Sequence, residues 1–270
     1  MALRLLAVFS AVAAASAGQV NHAKAGSLRR DAGRPDGFVK SIEFKHRLRV
    51  CNAYPYSAPL DVYRGKAERL TEEAMPYKSC KDFATPLKAG DKLEFKVGDA
   101  SAGTFSISDL PNNDAVLLLV IHRHDTLSTA VSFESHVFAN LLNAQVAIID
   151  TYKGTAKAHA AIMDVSAKGK SGRSEELRFD SVVAVNPGMY NVVLAGADGS
   201  SKASSELVAL NRESYVVIRT GVESAQGPSY PQELLVYPKS PIPVHSGASA
   251  VGVYTALFAL AASLMVQLAY

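Results

Sequence analysis

The strongest candidate for chemistry is a short run that places two histidines one residue apart. His122-Arg123-His124-Asp125 directly follows the apolar segment Val116–Ile121, which is typical of a strand covered on both faces. Alternate residues of a strand point to the same face, so His122 and His124 could bind one metal ion, with His136 as a third ligand. A metal-dependent enzyme is therefore one alternative, although the charged end of a strand explains the same residues without a metal.

Other signatures of catalysis are missing from the sequence. No Gly-x-Ser-x-Gly nucleophile elbow occurs. The stretch Lys168–Ser171 resembles the end of a phosphate-binding loop, but Asp164 stands where that loop requires its first glycine. The sequence therefore predicts a protein without catalytic residues and without a cofactor.

Aromatic and basic side chains are the candidates for ligand binding. Tyrosine rings can stack on sugar rings, and a basic loop can contact an acidic polymer. The candidates for polysaccharide contact are Tyr54, Tyr56, Tyr63, Lys168, Lys170 and Arg173. Tyrosines near strand ends are also common as core or turn residues, so a structural interpretation stays open beside the binding one.

The chain has two cysteines, Cys51 and Cys80. Two cysteines are too few for a four-cysteine zinc site. In an exported protein the expected arrangement is a disulfide. Closing a loop of about 30 residues would stabilise the fold by ~3.5 kcal/mol in the chain-entropy model.

The N-terminus has the pattern of an export signal. Arg4 is followed by an uncharged apolar run that ends in Ala15-Ser16-Ala17, which fits the small-residue pattern of a cleavage site. We therefore expect a signal peptide over residues 1–17. Residues 18–37 have no apolar period and are interpreted as a flexible leader.

The C-terminus predicts attachment to a membrane. Residues 238–247 are interpreted as a proline-rich stalk, and residues 248–270 form a hydrophobic tail without a charged residue. Ser246 and Gly247 precede this tail in the manner of a glycolipid-anchor site. Three interpretations stay open: a cleaved anchor signal, a retained membrane helix, and a terminal helix packed on the protein. The first two predict an exported, membrane-anchored protein at the cell surface or in the periplasm.

The middle of the chain has the pattern of an all-β protein. Short apolar runs alternate with turn residues, and Leu93–Val97 has the period of two that a half-buried strand requires. The whole chain of 270 residues carries a formal net charge of only +3. So small a charge gives no reason to expect nucleic acid as a partner.

This β pattern occurs twice. Residues 186–194 align with residues 88–96 at an offset of 98, and residues 210–218 align with residues 110–118 at an offset of 100. The opening strands of the two copies match as well. The duplication predicts two tandem antiparallel β-sandwich domains of the immunoglobulin-like kind. Their predicted bounds are 38–135 and 136–237.

The sequence resembles two related groups of secreted proteins. Leu48–Tyr63 is similar to the opening of an uncharacterised family of β-sandwich modules, with an arginine-valine strand, an Ala-Pro turn and Asp-Val-Tyr. The two-domain layout resembles the periplasmic accessory proteins of alginate O-acetylation, the AlgF type. The further segments that carry this resemblance are Pro86–Gly90, Asn186–Leu194, Val208–Glu213 and Glu233–Pro238.

The resemblance implies a protein that has no catalytic residues and assists acetylation of an exopolysaccharide in the envelope. The chain departs from that family in its hydrophobic tail, its longer basic leader and its two cysteines. Its motifs are structural, so the resemblance transfers no site residue. Fold alone does not determine function.

Together these features predict a non-catalytic, exported and membrane-anchored protein. It would bind an acidic extracellular polysaccharide such as alginate, or assist its O-acetylation beside a polysaccharide acetyltransferase. One alternative is a structural or adhesive surface protein that binds other proteins through strand edges or loops. The other is the metal-dependent enzyme built on His122 and His124.

Overall fold

A computed structural model describes residues 44–139, 141–165 and 173–239, which fold into sixteen β-strands. The all-β prediction is confirmed for this part of the chain. Within it, no helix is long and apolar enough to cross a membrane. The predicted signal peptide, leader and hydrophobic tail lie outside the described residues, as do Lys168, Lys170, Ser246 and Gly247.

The strands fall into two sets of eight. The first half consists of β1 (His46–Asn52), β2 (Asp61–Arg64), β3 (Glu68–Arg69), β4 (Ser79–Phe83), β5 (Lys92–Val97), β6 (Ala100–Ser106), β7 (Ala115–Arg123) and β8 (Val131–Ala139). The second half consists of β9 (Ala144–Asp150), β10 (Ala158–Asp164), β11 (Ser174–Leu177), β12 (Ser181–Val185), β13 (Gly188–Gly196), β14 (Ser201–Ala209), β15 (Ser214–Val222) and β16 (Tyr230–Tyr237).

The two halves have the same topology. The sheets of the first half have the orders β4-β1-β7-β8 and β3-β2-β5-β6, and those of the second half have β12-β9-β15-β16 and β11-β10-β13-β14. Each strand of the first half thus has its counterpart eight strands later. The pairs β1–β7 and β9–β15 are parallel, so the sheets are rich in antiparallel pairs rather than purely antiparallel as predicted.

The first half extends to the end of β8. This strand pairs with β7 from Val131 to Ala139. The predicted boundary between residues 135 and 136 therefore falls inside β8. The second half begins at Ala144.

The turns after β1 and β9 fix the offset between the halves. The side chain of Asn52 accepts a hydrogen bond from the backbone N–H of Tyr54 at 3.1 Å, and Asp150 accepts one from Tyr152 at 3.0 Å. These two turns stand 98 residues apart. The pairing of β7 with β1 and of β15 with β9 gives the same offset. The predicted offset of 100 for β7 and β15 is therefore wrong by two residues, which leaves each side chain on the same face.

The predicted alignment of β5 with β13 is wrong by one residue, which does exchange faces. Leu93 and Phe95 are completely buried between the sheets of the first half, and Val192 and Leu194 are completely buried in the second half. These pairs are offset by 99 residues. The sequence alignment at 98 placed Leu93 opposite Asn191 instead.

Apolar side chains form three core layers. One fills the first half between its two sheets, and a second fills the second half in the same way. The third lies between the halves, where β7 and β15 present their other faces; its members include Val116, Leu118, Val120, Ala147, Val216 and Ile218. Both strands are therefore covered on both sides. This confirms the interpretation of Val116–Ile121 as a strand covered on both faces.

Candidate functional site

A buried arginine on β1 joins the two halves. Arg49 is 1% exposed, and its Nε and Nη2 donate hydrogen bonds to the carboxylate of Asp82 at 2.7 and 2.9 Å. From the second half, the carbonyl oxygen of Ser214 accepts a bond from Nη1, and Glu213 Oε1 lies 3.5 Å from Nη2. The ring of Tyr237 lies 5.0 Å from the guanidinium carbon. Burial disfavours the charged guanidinium and by itself would lower the pKa of Arg49. The hydrogen bonds to Asp82 and the negative charge of its carboxylate outweigh burial, so the pKa lies above its usual value.

An open cleft of about 580 Å³ lies beside this arginine, where β1, β7 and β15 begin. Its volume lies within the range of ligand sites, roughly 300–1,000 Å³. Its apolar lining comes from the first half and includes Phe44, Pro86 and Val116, whereas the second half contributes Arg212 and Ser214. Its ionisable lining residues within the described chain are Lys45, His46, Arg47, Asp114 and Arg212.

The charges around the cleft are predominantly basic. Asp114 accepts a hydrogen bond from the backbone N–H of Lys45 at 2.8 Å. Arg47 has only distant partners, with Asp82 at 3.5 Å and Glu213 at 3.9 Å. Within residues 44–139, 141–165 and 173–239, the exposed side chains of Lys45 and Arg212 are engaged in no ion pair. Both cations are therefore available to an anionic ligand.

Of the predicted metal ligands, His122 is buried and His124 is exposed. The Nδ1 atom of His122 lies 2.9 Å from the carbonyl oxygen of Arg123, and its Nε2 lies 3.7 Å from Glu134 Oε1 without a hydrogen bond. The Nδ1 atom of His124 lies 2.7 Å from Ser132 Oγ. The two rings thus have separate partners on β7 and β8.

The proposed third ligand lies elsewhere on the sheet. His136 pairs with Leu118, which precedes His122 by four residues on β7, a separation of about 13 Å along a strand. Its ring packs edge-on against Phe138 at 4.8 Å. The described residues contain no group of three His, Cys, Asp or Glu side chains placed to hold a metal ion. The structure does not bring the three histidines together.

The burial of His122 has a consequence for stability at acidic pH. Burial lowers the pKa of His122 from 6.5, and the charge of Lys153 acts in the same direction. The unfolded histidine takes up a proton at higher pH than the folded one, so the free energy of unfolding falls as the pH drops below about 6.5. We expect urea unfolding, followed by circular dichroism at about pH 7.5, 6.5 and 5.5, to show this fall.

The variant His122→Gln should show a smaller loss over the same pH range. Burial also lowers the pKa of His136. This residue therefore accounts for part of the fall in unfolding free energy that remains in the variant. Equal losses in the variant and the wild-type protein would contradict a role for His122.

Two predicted sugar-contacting tyrosines lie side by side. The ring centroids of Tyr54 and Tyr56 are 6.1 Å apart. Tyr54 is buried, and its hydroxyl donates a hydrogen bond to the carbonyl oxygen of Thr129 at 2.7 Å. Tyr56 is 45% exposed. The pair therefore presents one exposed ring, beyond the ends of β1 and β7 and away from the cleft.

The remaining predicted contacts are separate from this pair. Tyr63 lies on β2, with the ammonium group of Lys96 4.6 Å from its ring centroid. Arg173 belongs to the second half, where its Nε lies 2.7 Å from Glu175 Oε1. The described candidates for polysaccharide contact thus fall in three places and form no single surface.

The predicted disulfide between Cys51 and Cys80 is confirmed. The two residues pair directly across β1 and β4, with their Cα atoms 4.0 Å apart. Cys51 is completely buried and belongs to the core layer between the halves. The disulfide thus fixes the edge strand β4 to the strand that carries Arg49.

The cleft is not predicted by the sequence. Lys45 precedes β1 and Arg212 precedes β15, and no local motif connects them. The available signal was the duplication, because equivalent strands begin at one end of each half. Only the packing of the halves shows that these strand starts lie side by side.

No family model matches the chain, and no curated protein matches its sequence. Among solved structures, the TIE protein of Bacillus anthracis is 10% identical with a TM-score of 0.21, covering 67% of this chain and 34% of that one. A candidate cell adhesion protein from Bacteroides fragilis is 12% identical with a TM-score of 0.21, covering 80% of this chain and 92% of that one. The chain thus spans about a third of the length of the Bacillus protein. By its own fold and site, it is an all-β protein with a basic cleft between two halves.

Proposed function

We propose that this is an exported, non-catalytic protein that binds an acidic extracellular polysaccharide in the cleft between its halves. The observation that carries the proposal is the convergence of Lys45 from the first half and Arg212 from the second on one cleft. Ammonium and guanidinium groups form strong hydrogen bonds with carboxylates. An anionic ligand in the cleft would contact both halves.

The lining of the cleft favours a sugar over a small inorganic anion. Its volume of about 580 Å³ exceeds the space that one phosphate or sulfate needs. Exposed apolar side chains of its lining, such as Phe44 and Pro86, offer contact to the C–H faces of sugar rings. A uronic acid combines such faces with the carboxylate that the basic residues require.

Several features outside the cleft support export. A structural disulfide is expected in an oxidising compartment, and the two ends of the sequence have the patterns of a signal peptide and a membrane-attached tail. In this proposal each half is a β-sandwich domain of a tandem pair held at the cell surface or in the periplasm. The resemblance to accessory proteins of alginate O-acetylation makes alginate the first polymer to test and a polysaccharide acetyltransferase the first partner.

Affinity electrophoresis of the full chain, in neutral detergent, tests this function. Gels containing alginate, acetylated or deacetylated, and other acidic polysaccharides should retard the wild-type protein in at least one polymer. Replacing both Lys45 and Arg212 with alanine should raise the dissociation constant about a hundredfold or more, because each charged hydrogen bond contributes roughly 1.5–3 kcal/mol.

The matched control removes the same two charges elsewhere. Lys66 and Arg178 are exposed and lie outside the cleft, so the Lys66→Ala/Arg178→Ala variant should migrate like the wild-type protein. Equal loss of retardation in the two double variants would show attraction by overall charge and contradict a site. Free migration of the wild-type protein in every gel would overturn the proposal and make a protein partner the next candidate.

A further inference from the structure

Exposed apolar side chains gather at the end of the molecule where the cleft opens. Leu141 and Leu142 lie between β8 and β9, and Leu210 follows β14; these leucines are 51%, 69% and 49% exposed. The backbone N–H of Arg212 donates a hydrogen bond to the carbonyl oxygen of Leu142 at 3.0 Å, which brings the two loops together. Phe44, 41% exposed, lines the neighbouring cleft. We name these four residues the apolar rim.

Basic side chains accompany the apolar rim. Lys45 follows Phe44 directly, and Arg212 lies two residues after Leu210; both line the cleft. Exposed leucines beside cations are the combination by which surface-bound proteins contact anionic bilayers. The apolar groups enter the boundary between headgroups and acyl chains, and the cations lie among the headgroups.

The path of the chain leads to the same end. In β16, Tyr237 pairs with Val216 near the start of β15, so the chain leaves the described structure at Lys239 close to the apolar rim. The uncharged stretch Ser246–Tyr270 begins only seven residues later. Seven extended residues span at most about 25 Å.

We infer that the end of the molecule bearing the apolar rim lies against a lipid surface with anionic headgroups. Leu141, Leu142 and Leu210 enter the interface, while Lys45 and Arg212 contact the headgroups. This inference goes beyond the proposed function and does not depend on it. Because the cations are shared, an acidic polymer should compete with the lipid for them.

Tryptophan fluorescence tests the inference, because the natural chain contains no Trp. The variant Leu142→Trp places a single indole in the apolar rim. The matched control is Leu127→Trp, at a position 70% exposed in the turn after β7, at the opposite end of that strand. Each full-chain variant is incorporated into vesicles of phosphatidylcholine and phosphatidylglycerol that carry brominated acyl chains.

Quenching of the Leu142→Trp variant is expected to exceed that of the Leu127→Trp variant by about threefold or more, and to weaken in vesicles of phosphatidylcholine alone. Equal quenching at the two positions would overturn the inference. Equal quenching of Leu142→Trp in both kinds of vesicle would overturn its anionic part.

Polymer binding supplies the separating measurement. In a Leu210→Trp background, the substitutions Leu141→Ser and Leu142→Ser should lower the quenching of that indole by brominated lipid and leave the retardation in polysaccharide gels unchanged. Loss of both the quenching and the retardation would show that the loops serve the cleft instead of a bilayer and would overturn the inference.

Discussion

Replacing Arg49 with methionine is expected to lower the free energy of unfolding by about 3–5 kcal/mol, the usual effect of breaking a buried ion pair. The substitution leaves the carboxylate of Asp82, 22% exposed, without its bidentate partner. It also leaves the buried carbonyl oxygen of Ser214 without its donor. Because these partners lie in different halves, the loss falls on the contact between the halves.

Urea unfolding followed by circular dichroism measures this effect. The control is Arg47→Ala, whose side chain is 46% exposed and has partners at 3.5 and 3.9 Å. An exposed pair of this kind contributes about 1 kcal/mol or less. Similar losses in the two variants would contradict the role given to Arg49.

Removing the disulfide is expected to have the second largest effect. The double variant Cys51→Ala/Cys80→Ala should lose ~3.5 kcal/mol of unfolding free energy, because the bond spans a sequence separation of 29 residues. Cys51 also belongs to the core layer between the halves, so the substitution removes some packing there.

A reductant separates the bond from the packing. Adding it to the wild-type protein should reproduce most of the loss, and adding it to the double variant should change nothing. If the reduced wild-type protein unfolded at the same urea concentration as the oxidised protein, the bond would not stabilise the fold.

The strands were predictable where burial leaves a pattern in the sequence. The unbroken run Val116–Ile121 indicated a strand covered on both faces, and the alternation in Leu93–Val97 indicated one covered on a single face. Both patterns follow from which faces are buried. The structure confirms the first through the core layers on either side of β7 and the second through the burial of Leu93 and Phe95.

The residue-by-residue alignment of the two halves was less predictable, because it relied on matching turn residues. It matched Gly90 with Gly188, yet Gly90 stands in a turn before β5 with a φ of 87°, whereas Gly188 is the first residue of β13. Equivalent turns do not require equivalent loop lengths. The one-residue error in β5 and β13 follows from this difference.

The candidate site depends on contacts that sequence does not encode locally. Lys45 and Arg212 line one cleft because β1 and β15 begin at the same end of two halves that pack through β7 and β15. For the histidines, the register of the β7–β8 hairpin decides the outcome. It places His136 opposite Leu118 rather than beside His122.

The central claim, that one acidic ligand bridges the two halves, is tested most directly by calorimetric titration. A uronate oligosaccharide of defined length is titrated into the full chain and into Lys45→Ala and Arg212→Ala, one single variant from each half. We predict that each variant raises the dissociation constant about tenfold, since each removes one charged hydrogen bond. Wild-type affinity in either variant would contradict a ligand held between the halves.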